Sequence, residues 1–569
     1  YLKRGQFPLI QENQYLISNA RTRLRRLPDA QTLYKSMITN LGPEYASITL
    51  NEILERTDSK GFLLSNNTIS NLYTQKGWNK SISQSIKDAC KDPYKIDWVL
   101  GTSKDHIPEK KLDLDKLHDD MVSLYFEDVQ EKWLQFISSV KVEPFGDMDE
   151  SGRSLLKLAR EQSELVKFFT KVAELTQINE EADKVPEVPD GVNEAASKVI
   201  SRKVSRVAKV RVKINPKSLL HKKKEQEKIS VFFESLRSFA KSEKGTLGGL
   251  EGYRDKILSL SEKITGLESH EGDNVITLFN GKQSDPLLKA WKFTNNELDG
   301  MPEHISMSIR RILLSPLEYT GKAISYVLVK QINELWHSDI YSVFSSNYAG
   351  KFPFLTKDNE ALFDDVMNFF RPSTGIFWGF YDRRLSTFIA KNKNGWKSRK
   401  IGSIEIGFNP KVYETLSRAE KIRVTFFQGD GTLRIQKVNM SSTRLSKNRA
   451  LLKIGEKEFE ITPDGGDGAQ FFWPNEVGSN DVSLKIFAVN SVAEEFAFKG
   501  QWGILRLFDS SRFNILSPNS FIAKWHINVQ NVYTIMFVCR VNVSGAEHPF
   551  VGSIFKNFDC PSKIAMVVD

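Results

Sequence analysis

The hydrophobic residues of this 569-residue chain change their spacing once, near residue 400. Before that point apolar side chains recur every three or four residues, as in 111–140, where the stripe consists of Leu117, Met121, Leu124, Tyr125, Val129, Trp133 and Phe136. After it they alternate with polar residues, as in 482–488, 521–529 and 535–543. The first spacing predicts amphipathic helices, and the second predicts half-buried strands. We therefore predict a multidomain α plus β protein, in which a long, mostly helical N-terminal region precedes a C-terminal antiparallel β-sandwich.

Prolines, glycines and changes of composition divide the sequence into four predicted domains. A helical domain occupies 1–145, and a second helical domain, which contains a basic connector, occupies 146–305. A third helical domain spans 306–398, and the β-sandwich domain spans 399–569.

Four local patterns give more specific predictions. One apolar stripe through 154–177 predicts a single long helix, and 307 to about 392 is predicted to be helical and rich in aromatic residues. The glycines and aspartates of 464–468 predict a hairpin turn, because Gly and Asp tolerate positive φ. The apolar run 502–507 predicts a core strand.

The net charge of +10 is concentrated in one stretch of the sequence. Residues 202–228 contain 11 Lys and Arg against two Glu, whereas 401–569 contains 19 basic and 17 acidic residues. No Phe, Tyr or Trp lies within 202–228, so bases would have no aromatic platform on which to stack. A solvated connector and a strip that binds phosphates or anionic lipids both remain open for this stretch, and we expect the connector. No nucleic-acid partner is predicted.

The sequence lacks the common short motifs of catalysis. It contains no P-loop, no G-x-G-x-x-G before a helix, no H-E-x-x-H and no G-x-S-x-G. His526 has the outward phase of its strand and no second ligand at metal spacing, which favours a structural or surface histidine over a metal ligand. Residues 147–152 resemble half of a calcium loop, but Leu158 takes the place of the bidentate carboxylate, which favours a helix cap. We predict a non-enzyme with no catalytic, cofactor-binding or metal site.

Three cysteines, Cys90, Cys539 and Cys560, are too few for a disulfide scaffold or a Cys-rich zinc module. Cys539 falls on the apolar face of its predicted strand, which favours a buried structural thiol over a nucleophile. A bridge from Cys539 to Cys560 is left open, and with it the redox compartment.

The chain begins at Tyr1, and it contains no run of about 18 apolar residues. We expect it to be a fragment, with an anchor or signal upstream. Basic residues cluster near the start at Lys3, Arg4, Arg21, Arg23, Arg25 and Arg26. Because such a cluster outside the membrane opposes the positive-inside tendency, we expect the last membrane helix to lie more than about 20 residues before Tyr1.

Short strings along nearly the whole chain resemble the IcmF/TssM family of type VI secretion. In the first part they are Ala20-Arg21, Leu24-Arg25-Arg26-Leu27-Pro28, Leu33-Tyr34, Leu72-Tyr73-Thr74-Gln75-Lys76-Gly77-Trp78 and Asp97-Trp98-Val99-Leu100-Gly101. Further on they are Leu335-Trp336, Gly350-Lys351-Phe352-Pro353-Phe354, Phe369-Phe370-Arg371-Pro372, Gly375 and Phe380-Tyr381. In the last part they are Arg418-Ala419, Ile422-Arg423, Phe426-Phe427, Phe472-Trp473-Pro474, Gly500-Gln501-Trp502-Gly503-Ile504-Leu505-Arg506-Leu507 and Phe558-Asp559-Cys560-Pro561. Residues 140–330 match poorly, so nothing is carried over to them.

The resemblance implies a structural subunit of a bacterial secretion membrane complex. It implies a periplasmic arm of an inner-membrane protein that reaches toward an outer-membrane lipoprotein of the TssJ kind. Because the C-terminal β domain lies at the end of the chain, farthest from the implied anchor, we expect this domain to dock the lipoprotein. It also implies a TssL/DotU-like inner-membrane partner for the part of the protein not in this sequence, and a homo-oligomer in the complex. No cofactor is implied for this part. An IcmF-type subunit of a type IVB system is the alternative.

Two other functional classes are weaker on the sequence alone. A periplasmic enzyme would need a site assembled from distant residues, and a binder of anionic lipid or nucleic acid would have to use 202–228. Trp473, Trp502 and Arg506 are candidates for a partner surface, because Trp and Arg are enriched at hot spots. The apolar setting of both Trp residues favours structural roles instead, so the partner-binding residues stay unknown.

Overall fold

The structure is a computed structural model, and it describes most of the chain. The described residues are 13, 15–16, 29–57, 60–91, 93, 113–178, 231–241, 248–267 and 274–568, the last range with gaps at 357–358, 465, 467, 475–480, 490, 530, 546–547, 551–553 and 557. The basic stretch 202–228, the basic residues before Asp29 and the family-like string at 97–101 lie outside the described residues.

Helices occupy most of the described chain before residue 389, and two more helices follow later among the described residues. They are α1 (Ala30–Leu41), α2 (Leu50–Ile53), α3 (Gln75–Gly77), α4 (Ser83–Lys91), α5 (Leu114–Ser139), α6 (Met148–Ala159), α7 (Glu164–Leu175), α8 (Glu234–Ala240), α9 (Gly249–Thr265), α10 (Asn274–Leu278), α11 (Pro286–Asp299), α12 (Glu303–Trp336), α13 (Ser342–Asn347), α14 (Phe363–Phe370), α15 (Ile376–Phe380), α16 (Pro410–Phe426) and α17 (Gly503–Asp509). Single π turns follow α3, α12 and α15, at Trp78–Ile82, His337–Tyr341 and Tyr381–Leu385.

Strands are short before residue 389 and dominate after residue 435. They are β1 (Ser47–Ile48), β2 (Leu63–Leu64), β3 (Ile69–Ser70), β4 (Lys141–Val142), β5 (Ile389–Asn392), β6 (Gly395–Ser398), β7 (Ile406–Phe408), β8 (Gln436–Ser442), β9 (Ala450–Ile454), β10 (Lys457–Ile461), β11 (Ala469–Trp473), β12 (Val482–Ala488), β13 (Ser491–Phe498), β14 (Arg512–Ser517), β15 (Ser520–Val529), β16 (Tyr533–Val543) and β17 (Ala565–Val567). The predicted order, helices first and antiparallel strands last, is confirmed.

The chain divides into two compact units. Unit 1 consists of Tyr1–Glu268 and Lys289–Thr320, and unit 2 consists of Ser269–Leu288 and Gly321–Asp569. The finer division into four domains, with boundaries at 145, 305 and 398, stays a prediction. Among the described residues, no helix is both long enough and apolar enough to span a bilayer.

In unit 1, the family-like string 72–78 packs against the long helix α5. The indole Nε1 of Trp133 donates a hydrogen bond to the carbonyl oxygen of Tyr73 at 2.9 Å. The hydroxyl of Tyr125 donates a hydrogen bond to the carbonyl oxygen of Leu72 at 3.0 Å. The ring of Trp78 stacks on Tyr125 with 5.2 Å between centroids. These bonds satisfy buried polar groups on both sides of the contact, so the string acts as packing for α5.

The predicted single helix over 154–177 is wrong, because the chain forms two helices there. Helix α6 ends at Ala159 and α7 begins at Glu164. The Oγ of Ser163 accepts a hydrogen bond from the backbone N–H of Val166 at 3.3 Å, which caps the second helix. Both helices keep their apolar faces buried, and this is why the hydrophobic stripe looked continuous across the break.

Asp147 caps α6, as the sequence predicts. Its Oδ1 accepts a hydrogen bond from the backbone N–H of Glu150 at 2.8 Å, and Glu150 in turn accepts one from the N–H of Gly146 at 2.9 Å. Acidic side chains in this first turn also face the positive end of the helix dipole. Asp147 and Glu150 of the calcium-like string are therefore engaged in ordinary helix capping.

We expect that Asp147→Ala will lower the free energy of unfolding by about 1 kcal/mol, which is typical for loss of an N-cap. Millimolar CaCl₂ should leave the thermal unfolding midpoint of the native chain unchanged. Differential scanning fluorimetry of both proteins with and without calcium measures both effects. A rise of the midpoint with calcium that Asp147→Ala removes would show that the string binds the ion.

In unit 2, two antiparallel sheets form the predicted sandwich. One has the strand order β10-β9-β12-β13, and the other has the order β11-β8-β16-β15-β14. Along β12 and β15 buried and less buried residues alternate, as the period of two requires. Phe459 of β10 meets Phe471 of β11 with 6.4 Å between ring centroids, which joins the two sheets at one side.

Three local predictions in unit 2 are wrong. Residues 464–468 do not close a hairpin, because β10 and β11 on either side belong to different sheets. In the run 502–507, Trp502 is the N-cap of helix α17 and the other residues lie in that helix, not in a strand. The residues of the run are buried nearly all round, so hydrophobic spacing could not distinguish a helix from a strand. The region 307–392 is not helical throughout, since β5 and β6 form a hairpin at 389–398.

Candidate docking surface on the sandwich

The end of helix α12 is bound to the last residues of the chain, within unit 2. Trp336 Nε1 donates a hydrogen bond to the carbonyl oxygen of Pro561 at 2.7 Å. The side-chain amide of Asn333 accepts bonds from the N–H groups of Ile564 and Ala565 at 2.8 and 3.0 Å, and donates to the Ala565 carbonyl at 2.9 Å. Asn333 thus pairs with the backbone of 564–565 as a neighbouring strand would.

Phe558 continues this contact into an aromatic cluster. Its ring lies 4.9 Å from that of Phe370 and 5.2 Å from that of Phe344, both at edge-to-face angles. The rings of Phe354 and Phe377 lie 6.1 Å away. Rings at these separations and angles attract each other beyond the area they bury.

Trp502 and Arg506 belong to the same cluster from the other side. Trp502 is 1% exposed, and its Nε1 donates a hydrogen bond to the carbonyl oxygen of Ala361 at 2.7 Å. Arg506 forms an ion pair with Glu360, and its guanidinium lies 4.2 Å from the ring centre of Phe352. Both Trp502 and Trp473 are core residues, as expected, and are not available to a partner.

Several family-like strings of unit 2 therefore meet in one place. Their residues in this cluster, which we call the aromatic joint, are Trp336, Phe352, Phe354, Phe369, Phe370, Trp502, Arg506, Phe558 and Pro561. The joint connects the helices of 321–388 to helix α17 and to the loop at 558–561, both within the sandwich region of the chain. These strings specify internal packing, so a partner surface has to be sought elsewhere.

The thiols and histidines singled out in the sequence have structural or surface positions. Cys90, Cys539 and Cys560 are free and buried, so Cys539 and Cys560 form no disulfide bridge in this structure. Burial raises the pKa of all three thiols, that of Cys90 to about 11, which leaves them protonated and unreactive near neutral pH. His526 is exposed on its strand, as predicted.

The described residues also hold no group of three or more His, Cys, Asp or Glu that could bind a metal ion. An open cleft of about 470 Å³ lies between residues 371–374 and 429–433. Arg371 and Asp430 are the charged residues of its lining, and neither a histidine nor a cysteine lines it. The cleft therefore shows no acid–base pair or activated nucleophile with which to start a reaction.

Three of the four sheet edges of the sandwich carry features that discourage strand addition. The edge strand β10 has Lys457, Glu458 and Glu460, and β13 has Glu494 and Glu495 beside a register shift in its pairing. The edge strand β11 is only five residues long and is followed by Pro474, which has no N–H to donate. Charges, bulges, prolines and short length are the usual protections of an edge.

The fourth edge, β14, also has a register shift near its end, but it exposes more large apolar side chains than any of the other three edges. Its sequence is Arg-Phe-Asn-Ile-Leu-Ser, with one charge at its first residue and no acid. Phe513, Ile515 and Leu516 are 37%, 62% and 49% exposed. An exposed apolar edge of this kind is a template for pairing with another strand. We take β14 as the candidate docking surface.

Strand β14 was not among the strands predicted from the sequence. The alternation of Phe513, Asn514 and Ile515, followed by a turn at 517–520, was the signal available. No sequence pattern says that a strand lies at an edge, because the edge is defined by the sheet order.

Comparison with known proteins agrees with the resemblance in the sequence. Residues 1–177 match a family model described as IcmF-related, intracellular multiplication and human macrophage-killing. Residues 328–431 match the type VI secretion protein IcmF helical domain, and 434–538 match the IcmF C2-like domain. The chain belongs to the IcmF/TssM family. The matched regions leave 178–327, 432–433 and 539–569 uncovered, and 178–327 is most of the stretch 140–330 that resembled the family poorly.

A relative and two solved structures match this chain over nearly its whole length. It is 20% identical over 580 residues to the type VI secretion system component TssM1 of Pseudomonas aeruginosa, covering 98% of this chain and 50% of that protein. The chain therefore spans about half the length of this curated relative. A chain of a type VI secretion system membrane core complex is similar with a TM-score of 0.67 at 14% identity, covering 95% of this chain and 100% of that one. A chain of a type VI membrane complex gives 0.62 at 14% identity, covering 96% and 95%.

Proposed function

We propose that this chain is part of a structural subunit of a type VI secretion membrane complex. In this proposal it forms the periplasmic arm that links an inner-membrane anchor to an outer-membrane lipoprotein. A TssL/DotU-like inner-membrane protein contacts the part of the subunit outside this sequence, and several copies assemble together.

The observation that carries this proposal is the shared fold along the whole length. The chain has the fold of a protein in a type VI secretion membrane core complex over 95% of its residues, and it includes matches to three successive IcmF regions. The aromatic joint supports a mechanical role, because it ties the helices of 321–388 to the sandwich with buried rings and hydrogen bonds. Such a joint transmits position between the two parts without internal hinge motion.

Two alternative functions can be compared with this proposal. An IcmF-type subunit of a type IVB system has the same family features and would differ in its lipoprotein partner. A periplasmic enzyme would need a reactive group, and the described cysteines have pKa values raised by burial.

We expect the complete chain to bind the outer-membrane lipoprotein of its own secretion system with micromolar or tighter affinity. Because 401–569 carries 19 basic and 17 acidic residues, the affinity should change less than about tenfold between low and high salt. Isothermal titration at two salt concentrations measures this, and hydrogen exchange of the complex locates the contact. Protection is expected among the strands of 436–543.

The lipoprotein of an unrelated secretion system serves as the control in the titration. Binding that disappears at high salt would indicate a charge-driven contact instead. Protection confined to 29–320 would assign the docking site to the helical region and contradict the role of the sandwich.

A further inference from the structure

The edge strand β14 has an apolar side that the rest of the sandwich leaves uncovered. Phe513 pairs with Ala523, and Ile515 pairs with Phe521, so both share the inner face of their sheet. Phe521 and Ala523 are fully buried, whereas Phe513 and Ile515 are 37% and 62% exposed. The sheet that contains β14 has five strands, and the facing sheet has four. Strand β13 is an edge of the four-stranded sheet and lies near β15, and β14 extends the other sheet by one strand beyond β15.

We propose that β14 pairs with β14 of a second copy of this chain, antiparallel and centred on Asn514. The two five-stranded sheets then become one continuous ten-stranded sheet. This assignment rests on the proposed function, in which several copies assemble together, and names one contact between copies that does not involve the lipoprotein.

The strand is complementary to itself in this register. In a pair centred on Asn514, a residue lies opposite the residue of the copy that is equally far on the other side of position 514. Phe513 therefore faces Ile515 of the copy, and both side chains lie on the inner face. Arg512 lies opposite position 516 of the copy, where the strand becomes irregular, so the two cations of the pair stay apart. Asn514 faces Asn514 of the copy, and a side-chain amide can both donate to and accept from another amide.

The regular part of the strand is long enough for this pairing. Arg512 to Ile515 pair with β15 in one unbroken register, and the register shifts only between Ile515 and Ser517. The centre of the proposed contact, Phe513 to Ile515, thus lies in undistorted strand. The irregularity at Leu516 limits the contact to a short segment and stops it from spreading along the edge.

A second copy suits this edge better than a single foreign strand. One added foreign strand would satisfy the free backbone groups, but it would cover Phe513 and Ile515 only if its own inner-face side chains were apolar. A second copy brings its own Phe513 and Ile515 beside them, so four apolar side chains come together between the two covering sheets. A charged partner segment is not favoured, because Arg512 is the single charge of the strand.

Cross-linking of the Asn514→Cys variant of the complete chain tests the pairing directly. Opposed Cα atoms in an antiparallel pair are about 4.5–5.5 Å apart, within the range that a disulfide spans. Cys90, Cys539 and Cys560 are buried, so the new thiol is the exposed one among the described residues. With copper–phenanthroline as oxidant we expect a dimer on a non-reducing gel, which dithiothreitol converts back to monomer.

Phe472→Cys is the matched control. Phe472 is 62% exposed, like Ile515, but lies on β11 at the opposite edge of the same sheet. It should give little dimer under the same oxidation. Equal cross-linking of both variants would indicate random collision and overturn the proposal.

Sedimentation of the complete chain over a range of concentrations provides the second test. Ile515→Lys should weaken self-association by about tenfold or more, because each dimer loses two cross-strand apolar pairs and gains two charges. Phe472→Lys should leave it unchanged, and circular dichroism should show that both variants are folded. A chain that stays monomeric, or whose association ignores Ile515→Lys, contradicts the pairing. Protection of β14 amides only after the lipoprotein is added would assign the edge to that partner instead.

Discussion

A fragment that consists of residues 400–569 alone is expected not to fold cooperatively. The cut separates the sandwich from the helices of 321–388, whose rings fill the aromatic joint. Phe558 would lose Phe344 and Phe370, and Trp502 would lose the carbonyl oxygen of Ala361. The fragment would keep its strands but lack the other half of its buried core.

The free energy lost when buried rings of the joint become exposed is the reason for this expectation. An aromatic side chain buries roughly 150–250 Å². At about 25 cal/mol per Å², exposing two such rings costs roughly 10 kcal/mol as an upper estimate. A folded protein of this size is stable by only about 5–15 kcal/mol. The exposed joint is therefore sufficient to remove the stability of the isolated sandwich.

Near-ultraviolet circular dichroism and thermal unfolding of the fragment measure the effect. The matched control is the fragment 269–569, which retains every residue of unit 2 and should unfold in a sharp transition. A sharp transition for 400–569 as well would support the predicted independent domain at 399–569 and contradict a shared core. Binding experiments with the lipoprotein are accordingly designed on the complete chain.

Trp502→Ala is expected to have the largest effect of any single substitution considered. The change removes a fully buried indole and leaves the Ala361 carbonyl without its donor. Large-to-small changes of this kind cost about 3–5 kcal/mol. For a unit of this size that corresponds to a fall of roughly 5–15 °C in the unfolding midpoint.

Two further variants separate packing from general sensitivity. Trp502→Phe keeps an aromatic ring but loses the N–H donor, so its cost should be smaller, about 1–3 kcal/mol. Val532→Ala, at a position 79% exposed near the tip of the β15–β16 hairpin, should change stability by less than about 0.5 kcal/mol. Calorimetry of the complete chain compares the four proteins. If Trp502→Ala matched Val532→Ala, Trp502 would not be part of a tightly packed core.

Patterns that repeat over many residues were predictable from the sequence. The stripe of α5 and the alternation of β12, β15 and β16 match the structure closely, because many residues report the same period. Short segments were less predictable. The run 502–507 is buried on all sides as helix α17, so its composition fits a strand equally well.

The candidate docking surface was beyond the reach of sequence reasoning for a different reason. Trp473 and Trp502 resemble hot-spot residues in composition, yet both are core residues of the aromatic joint region. Phe513 and Ile515 look like ordinary inward-facing strand residues, yet they are exposed. In each case the decisive fact is what lies opposite the side chain, and that partner comes from a distant part of the chain.

The sequence by itself determined the fold class, the order of helices and strands and the family, because side-chain periodicity and short ordered strings are local properties. Tertiary structure alone decided that the family-like strings meet in the aromatic joint and that β14 is an edge strand. Sheet order and the meeting of distant strings depend on chain closure over tens to hundreds of residues, and no local pattern encodes which strand is left without a neighbour. Phe513 is therefore predictable as a strand residue from its alternation, but as a docking residue only from the position of β14 at the side of the sheet.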